Sequence, residues 1–152
     1  MSLDSTVDHL ARVPPMTRLD RDALRLIAFS ADQRRLRAGD VLFRKGDASH
    51  GAVLVLSGSI ALDVAGDGAP AATIVMPGAL IGEMALITKT EQPAQAIARE
   101  NSEVLMISRL LFRRVLGEYP HCAALIHKDY AERLASMSGR LKGVSTRLDR
   151  VS

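Results

Sequence analysis

At 152 residues, 47% hydrophobic and 24% charged, the chain suits one globular domain with its own core and excludes wholesale disorder. Twenty Lys and Arg against 17 Asp and Glu leave a net charge of +3, too small to mark a DNA-binding face. Aromatics at 3%, with no Trp, offer little for stacking bases. Met1-Ser2-Leu3-Asp4 shows no basic or apolar signal-peptide region, and no apolar run approaches the roughly 20 residues that span a bilayer, so no membrane association is expected. Cys122 is the only cysteine, which excludes an intrachain disulfide and fits a reducing, cytoplasmic compartment.

In chain order, residues 4–33 read as two helices. Val7, Leu10 and Ala11 recur at helical spacing until Pro14-Pro15 stops the first. Asp20 is the expected N-cap of the second, which runs to about Ser30 and buries Leu24, Ile27 and Ala28. Residues 34–107 change character. The basic cluster Arg34-Arg35-Leu36-Arg37 reads as a solvated loop or strand edge. Turn signals then follow closely: Ala38-Gly39-Asp40, Lys45-Gly46-Asp47, Ser57-Gly58-Ser59, Gly66-Asp67-Gly68 and Pro77-Gly78. Between them lie short runs at 41–43, 53–56, 60–64 and 72–75, joined later by 94–98 and 104–107. Many short strands at this spacing predict a mainly β domain, an antiparallel barrel or jelly roll flanked by helices. Val53 to Leu56 is apolar on both faces and is expected to be central.

Gly82-Glu83-Met84-Ala85-Leu86 opens a short apolar turn whose free N–H groups suit an anion, a phosphate above all. An acid beside such a site fits only if its partner is a sugar hydroxyl, the role read for Glu83. The alternative is an ordinary loop leading into a buried turn. Residues 108–152 are helical: Ser108 caps a helix ending at Gly117, and Pro120 begins a last one. Tyr130, Leu134, Met137, Leu141, Val144 and Leu148 are spaced as an a/d seam, which favours helix-on-helix contact and most simply a homodimer. Gly139 and Gly143 support the alternative of a frayed tail. His9, His50, His121 and His127 lack metal-ligand spacing and no nucleophile–base pair is evident, so neither a metal site nor an enzyme is expected. Cys122 reads as a small buried hydrophobe.

Three stretches taken in order resemble the cyclic nucleotide-binding domain of catabolite-activator-type regulators and of cAMP-dependent kinase regulatory subunits. They are the strand and turn at 36–47, the hairpin at 55–62 and the cassette entry Pro77-Gly78-Ala79-Leu80-Ile81-Gly82-Glu83-Met84-Ala85-Leu86. The resemblance spans about residues 10–140 and implies a double-stranded β-helix with a long C-terminal helix that reads cAMP or cGMP. It implies that Glu83 holds the ribose 2′-hydroxyl, that Gly82, Met84 and Ala85 supply backbone donors, and that residues 92–95 hold the cyclic phosphate. Here the sequence departs from the family: Gln92-Pro93-Ala94-Gln95 stands where the pattern has Arg-x-Ala-Thr or Arg-x-Ala-Ser.

Losing the opposite charge and the two-pronged donor is expected to weaken binding about tenfold to a hundredfold. Lys89 is a substitute cation only if its loop turns inward. No recognition helix follows the seam, so direct DNA binding is not expected. Two readings stand: a sensor that binds cAMP, cGMP or a related anion around Glu83 and repacks its C-terminal helices, or an empty domain serving as a dimerising module for a protein partner.

Overall fold

A computed structural model describes residues 2–65 and 73–151, the side chains of 137–151 excepted. The expected hairpin turn at Gly66-Asp67-Gly68, and Ala72 at the start of an expected strand, lie outside the described residues.

Among the described residues the order is α1 (Leu3–Leu10), a 3-10 turn (Met16–Arg18), α2 (Arg21–Ser30), ten strands, α3 (Arg109–Glu118) and α4 (Pro120–Val151). The strands are β1 (Asp32–Leu36), β2 (Val41–Phe43), β3 (Ala48–Ser49), β4 (Gly51–Ser57), β5 (Ile60–Asp63), β6 (Thr73–Val75), β7 (Leu80–Ile81), β8 (Thr90–Glu91), β9 (Gln95–Ala98) and β10 (Ser102–Ser108). All pairings are antiparallel. They make one sheet ordered β1-β10-β4-β7, a second ordered β2-β9-β5-β6, and the short pair β3-β8. This is the expected two-sheet roll, although helical residues outnumber strand residues because α4 alone runs 32 residues.

β4 is central, as its sequence predicts, and the two core clusters explain why it is apolar on both faces. Val53 and Val55 point between the sheets toward Ile60, Val75, Ala96, Ala98 and Val104. Leu54 and Leu56 point outward, where α1, α2, α3 and the first turns of α4 cover them with Leu10, Ile27, Phe112, Val115, Cys122 and Ile126. A strand sandwiched between a second sheet and a helical layer has no solvent face, so period-2 alternation disappears. β1 is the opposite case. Among the described residues it pairs only with β10, and Asp32 through Arg35 are exposed. Charged residues on an edge strand discourage pairing with another chain, so the Arg34-Arg35 cluster is a solvated edge.

The first helix ends at Leu10, short of the expected residue 13; the Ala11 N–H still reaches the Val7 carbonyl at 2.9 Å before the chain turns. Asp20 occupies the N-cap position of α2, but its carboxylate makes no cap hydrogen bond. That oxygen lies 2.6 Å from His121 Nε2 instead. Ser108 caps α3 as expected, accepting from the Leu111 N–H at 3.0 Å. α3 continues through Gly117 to Glu118. Cys122 is buried in the helical core. Gly51 begins β4 where the strand crosses the end of β10: a Cβ there would lie 1.9 Å from the Ile107 carbonyl oxygen, so only glycine fits.

Candidate functional site

Gly82 joins β7 to a second 3-10 turn, Glu83–Leu86. Its φ of 76° and ψ of 40° lie in the left-handed region, which glycine enters without a Cβ penalty. The turn bends sharply off β7 and starts with Glu83. Ala85 and Leu86 are buried and anchor the turn to the helical core and β4. Met84 is exposed at 39% and Glu83 is half-buried.

The donors divide unevenly. The Ala85 N–H donates to the Gly82 carbonyl at 3.0 Å, the bond by which a 3-10 turn closes itself. Among the described residues, the N–H groups of Glu83 and Met84 have no hydrogen-bond partner. They are the two donors such a turn leaves open at its start.

Glu83 turns toward α4. Its Oε2 accepts from the Tyr130 hydroxyl and its Oε1 from Arg133 Nη1, each at 3.4 Å. The Arg133 guanidinium carbon also sits 5.2 Å from the centre of the Tyr130 ring, a cation–π arrangement. Burial, followed by the nearby Glu83 charge, pushes the Tyr130 hydroxyl up to about 12. It is therefore a neutral donor over the physiological range, suited to holding a carboxylate. α4 is itself tied down at Asp129. Arg18 grips that carboxylate through Nε at 2.7 Å and Nη2 at 3.0 Å. The Arg18 hydrogen bond holds the Asp129 carboxyl below its ordinary value.

The other end of the turn is held by Arg109, the first residue of α3, which sequence reasoning did not single out. Its Nη1 lies 3.0 Å from the Ala85 carbonyl, 3.2 Å from that of Thr88 and 3.2 Å from that of Ser49. One guanidinium thus braces the turn and β3 against α3. No local sequence pattern marks it, because its partners are 21 to 60 residues away.

The predicted phosphate side is held by its own contacts. Gln92 is half-buried, its N–H donating to the Asp47 carbonyl at 2.8 Å and its carbonyl accepting from Gly46 at 2.9 Å. These bonds fix it beside the β2–β3 turn. Pro93 is exposed, Ala94 is buried and Gln95 begins β9 half-buried. Lys89 is exposed. No hydrogen bond joins Gln92 to the 82–86 turn among the described residues.

A cleft of about 720 Å³ is bordered by strands and by α2 and α3, lined by Leu42, Phe43, Val53, Met106, Leu110 and Gln92 among others. Gln92 is the one predicted ligand residue it includes. A second cleft of about 610 Å³ lies between the first 3-10 turn and α4, lined by Tyr130 and Arg133. Neither encloses the 82–86 turn. The turn, with α4 laid against Glu83, is the better candidate site, because its open donors and its carboxylate converge there.

Of the expected seam, Tyr130 is buried against the body and Leu134 is 60% exposed. Tyr130 therefore packs within its own chain. Met137, Leu141, Val144 and Leu148 have side chains outside the described residues. No helix among the described residues is long and apolar enough to cross a membrane.

Comparison with known proteins agrees with this architecture. A family model described as the cyclic nucleotide-binding domain matches residues 33–119. A solved cyclic nucleotide-binding-like protein from Brucella abortus is 39% identical, with a TM-score of 0.71, over 75% of this chain and 99% of that one. The cyclic AMP receptor protein of Thermus thermophilus is 33% identical over 111 residues, 71% of this chain and 51% of the relative. A lysophospholipase of Neurospora crassa is 29% identical over 140 residues, 88% of this chain. This chain spans 9% of that enzyme's length.

Proposed function

The chain belongs to the cyclic nucleotide-binding domain family, and on that premise we propose that it is a cytoplasmic, non-enzymatic sensor module. Its ligand is cAMP, cGMP or a related anion, bound weakly at Gly82, Glu83 and Met84 with Gln92, Pro93, Ala94 and Gln95 on the phosphate side. The observation that carries this reading is the double hold of α4 on Glu83 through Tyr130 and Arg133.

A ribose hydroxyl on Glu83 competes with those two donors. A ligand there loosens α4, and a tightly seated α4 opposes the ligand; the two are linked reciprocally. Both α4 contacts are long at 3.4 Å, and the Glu83–Arg133 pair is partly exposed, so each is worth about 1 kcal/mol or less. A weak ligand therefore suffices to shift the balance, since a population moves only by the ligand's differential affinity. The signal leaves along α4, either to a second copy through the seam or to a protein partner.

A second reading is favoured by Gln92, which carries no charge for a cyclic phosphate, and by the exposed Leu134. In it the domain binds no nucleotide and serves as a dimerising interaction module. Isothermal titration with cAMP and then cGMP, beside a Gln92→Arg variant, separates the two. Saturable binding by the wild type, tightened about tenfold to a hundredfold by the variant, supports the sensor. Binding by the variant alone supports the module. Binding by neither counts against the assignment of Gln92 to the phosphate side.

A further inference from the structure

Away from the cassette, three side chains with metal-ligand chemistry meet where α2 and α4 begin. Asp20, at the N-cap of α2, turns its carboxylate away from its own helix. Its Oδ2 lies 2.6 Å from His121 Nε2. Cys122, the next residue, is fully buried beneath them. One ligand atom from each of the three, the thiol sulfur included, lies within 4.8 Å of the other two. We propose that Asp20, His121 and Cys122 form a binding site for a borderline-soft divalent cation, of which zinc is the best match.

The ligand set is the first reason. A thiolate, an imidazole and a carboxylate suit zinc and disfavour magnesium and calcium, which prefer all-oxygen shells. Geometry is the second. Zinc holds sulfur at about 2.3 Å and nitrogen or oxygen at about 2.0–2.2 Å, so its tetrahedral ligands stand about 3.3–3.6 Å apart. Side-chain rotations of about 1 Å would open the 2.6 Å Asp20–His121 contact and draw the sulfur in to that spacing. Charge is the third. The first turn of α4 carries the positive end of its helix dipole, which repels a bare cation. One carboxylate and one thiolate cancel the two charges of the ion, and the same dipole favours the thiolate.

Exposure is also apportioned suitably: Asp20 and His121 are open for entry, while Cys122 is sealed beneath. A water would complete a tetrahedral shell. The sequence conceals this site because Asp20 and His121 are 101 residues apart.

Such an ion would pin the first turn of α4 to the start of α2. Tyr130, eight residues beyond Cys122 on the same helix, reaches Glu83. The metal would therefore anchor the base of the helix that covers the candidate site. The inference does not depend on a nucleotide binding there.

The test uses the full chain, kept reduced with a non-chelating phosphine and freed of metal. Zinc is titrated by calorimetry, and cobalt(II) is followed by absorbance, since thiolate ligation gives a near-ultraviolet charge-transfer band and tetrahedral geometry gives visible bands. The expected result is one equivalent of either metal per chain. Cys122→Ser should remove the near-ultraviolet band, and His121→Ala and Asp20→Asn should each weaken binding at least about tenfold. The last two are surface changes that keep the test valid should Cys122→Ser fail to fold. No saturable binding, no thiolate band, or affinity unchanged in His121→Ala and Asp20→Asn would overturn the proposal and leave an Asp–His hydrogen bond over a core cysteine.

Discussion

Arg109→Met removes the brace under the 82–86 turn and leaves most of the aliphatic volume in place. Nη1 carries two hydrogens and faces three carbonyls at 3.0, 3.2 and 3.2 Å, so at most two are fully bonded at any moment. Charge-assisted bonds contribute about 1.5–3 kcal/mol each, and partial exposure pulls the pair toward the low end, so the expected loss is about 2–4 kcal/mol. For a chain of this size each kcal/mol lowers the melting temperature by about 2–4 °C, giving a fall of about 5–15 °C. Circular dichroism on heating measures it. Hydrogen exchange adds location: amides of 85–88 should lose protection before those of β4 and β10, because the turn loses its own restraint. Arg109→Lys, with a compact charge in place of the planar fork, should fall between. A melting temperature within about 2 °C of wild type, with exchange at 85–88 unchanged, would refute the brace.

Three further outcomes follow from the same geometry. The Tyr130 hydroxyl is raised from its ordinary 10 to about 12 in the fold, so the stability it contributes is complete below pH 10 and is lost as pH rises from 10 through 12. Ultraviolet titration should show tyrosinate appearing late, and Tyr130→Phe should remove the latest phase and flatten the alkaline loss of stability. Phe112→Ala empties a fully buried position between α3 and the outer face of β4 and should cost about 3–5 kcal/mol by denaturant titration. Leu134→Asp places a charge at an exposed apolar position; if the seam forms a dimer, sedimentation equilibrium should show a shift to monomer with the fold intact.

What could be read from the sequence was what local chemistry decides. Ser108 and Pro120 announced the starts of α3 and α4 because capping and a fixed proline φ act within one turn. The Val- and Ile-rich runs of β4, β5 and β10 stood out between Gly turns. The two-residue strands β3, β7 and β8 carried no such signal; pairing, not pattern, makes them strands. In the candidate site, Gly82 and Glu83 were legible because a left-handed turn followed by an acid is a local arrangement. The partners were not: Tyr130 and Arg133 reach Glu83 across 47 and 50 residues, and Arg109 is an ordinary surface-type residue until the fold supplies its three carbonyls. The heptad spacing counted Tyr130 as seam, whereas its hydroxyl is drawn inward to Glu83, a long-range contact that periodicity does not encode.

The most direct test of a ligand at Glu83 is amide chemical-shift mapping of the full chain as cAMP is added. The account predicts concentration-dependent shifts at Gly82, Glu83 and Met84, accompanied by shifts at Tyr130 and Arg133 as α4 releases the carboxylate. Shifts absent from those five residues, or confined to the cleft lined by Leu42, Phe43 and Leu110, would contradict it.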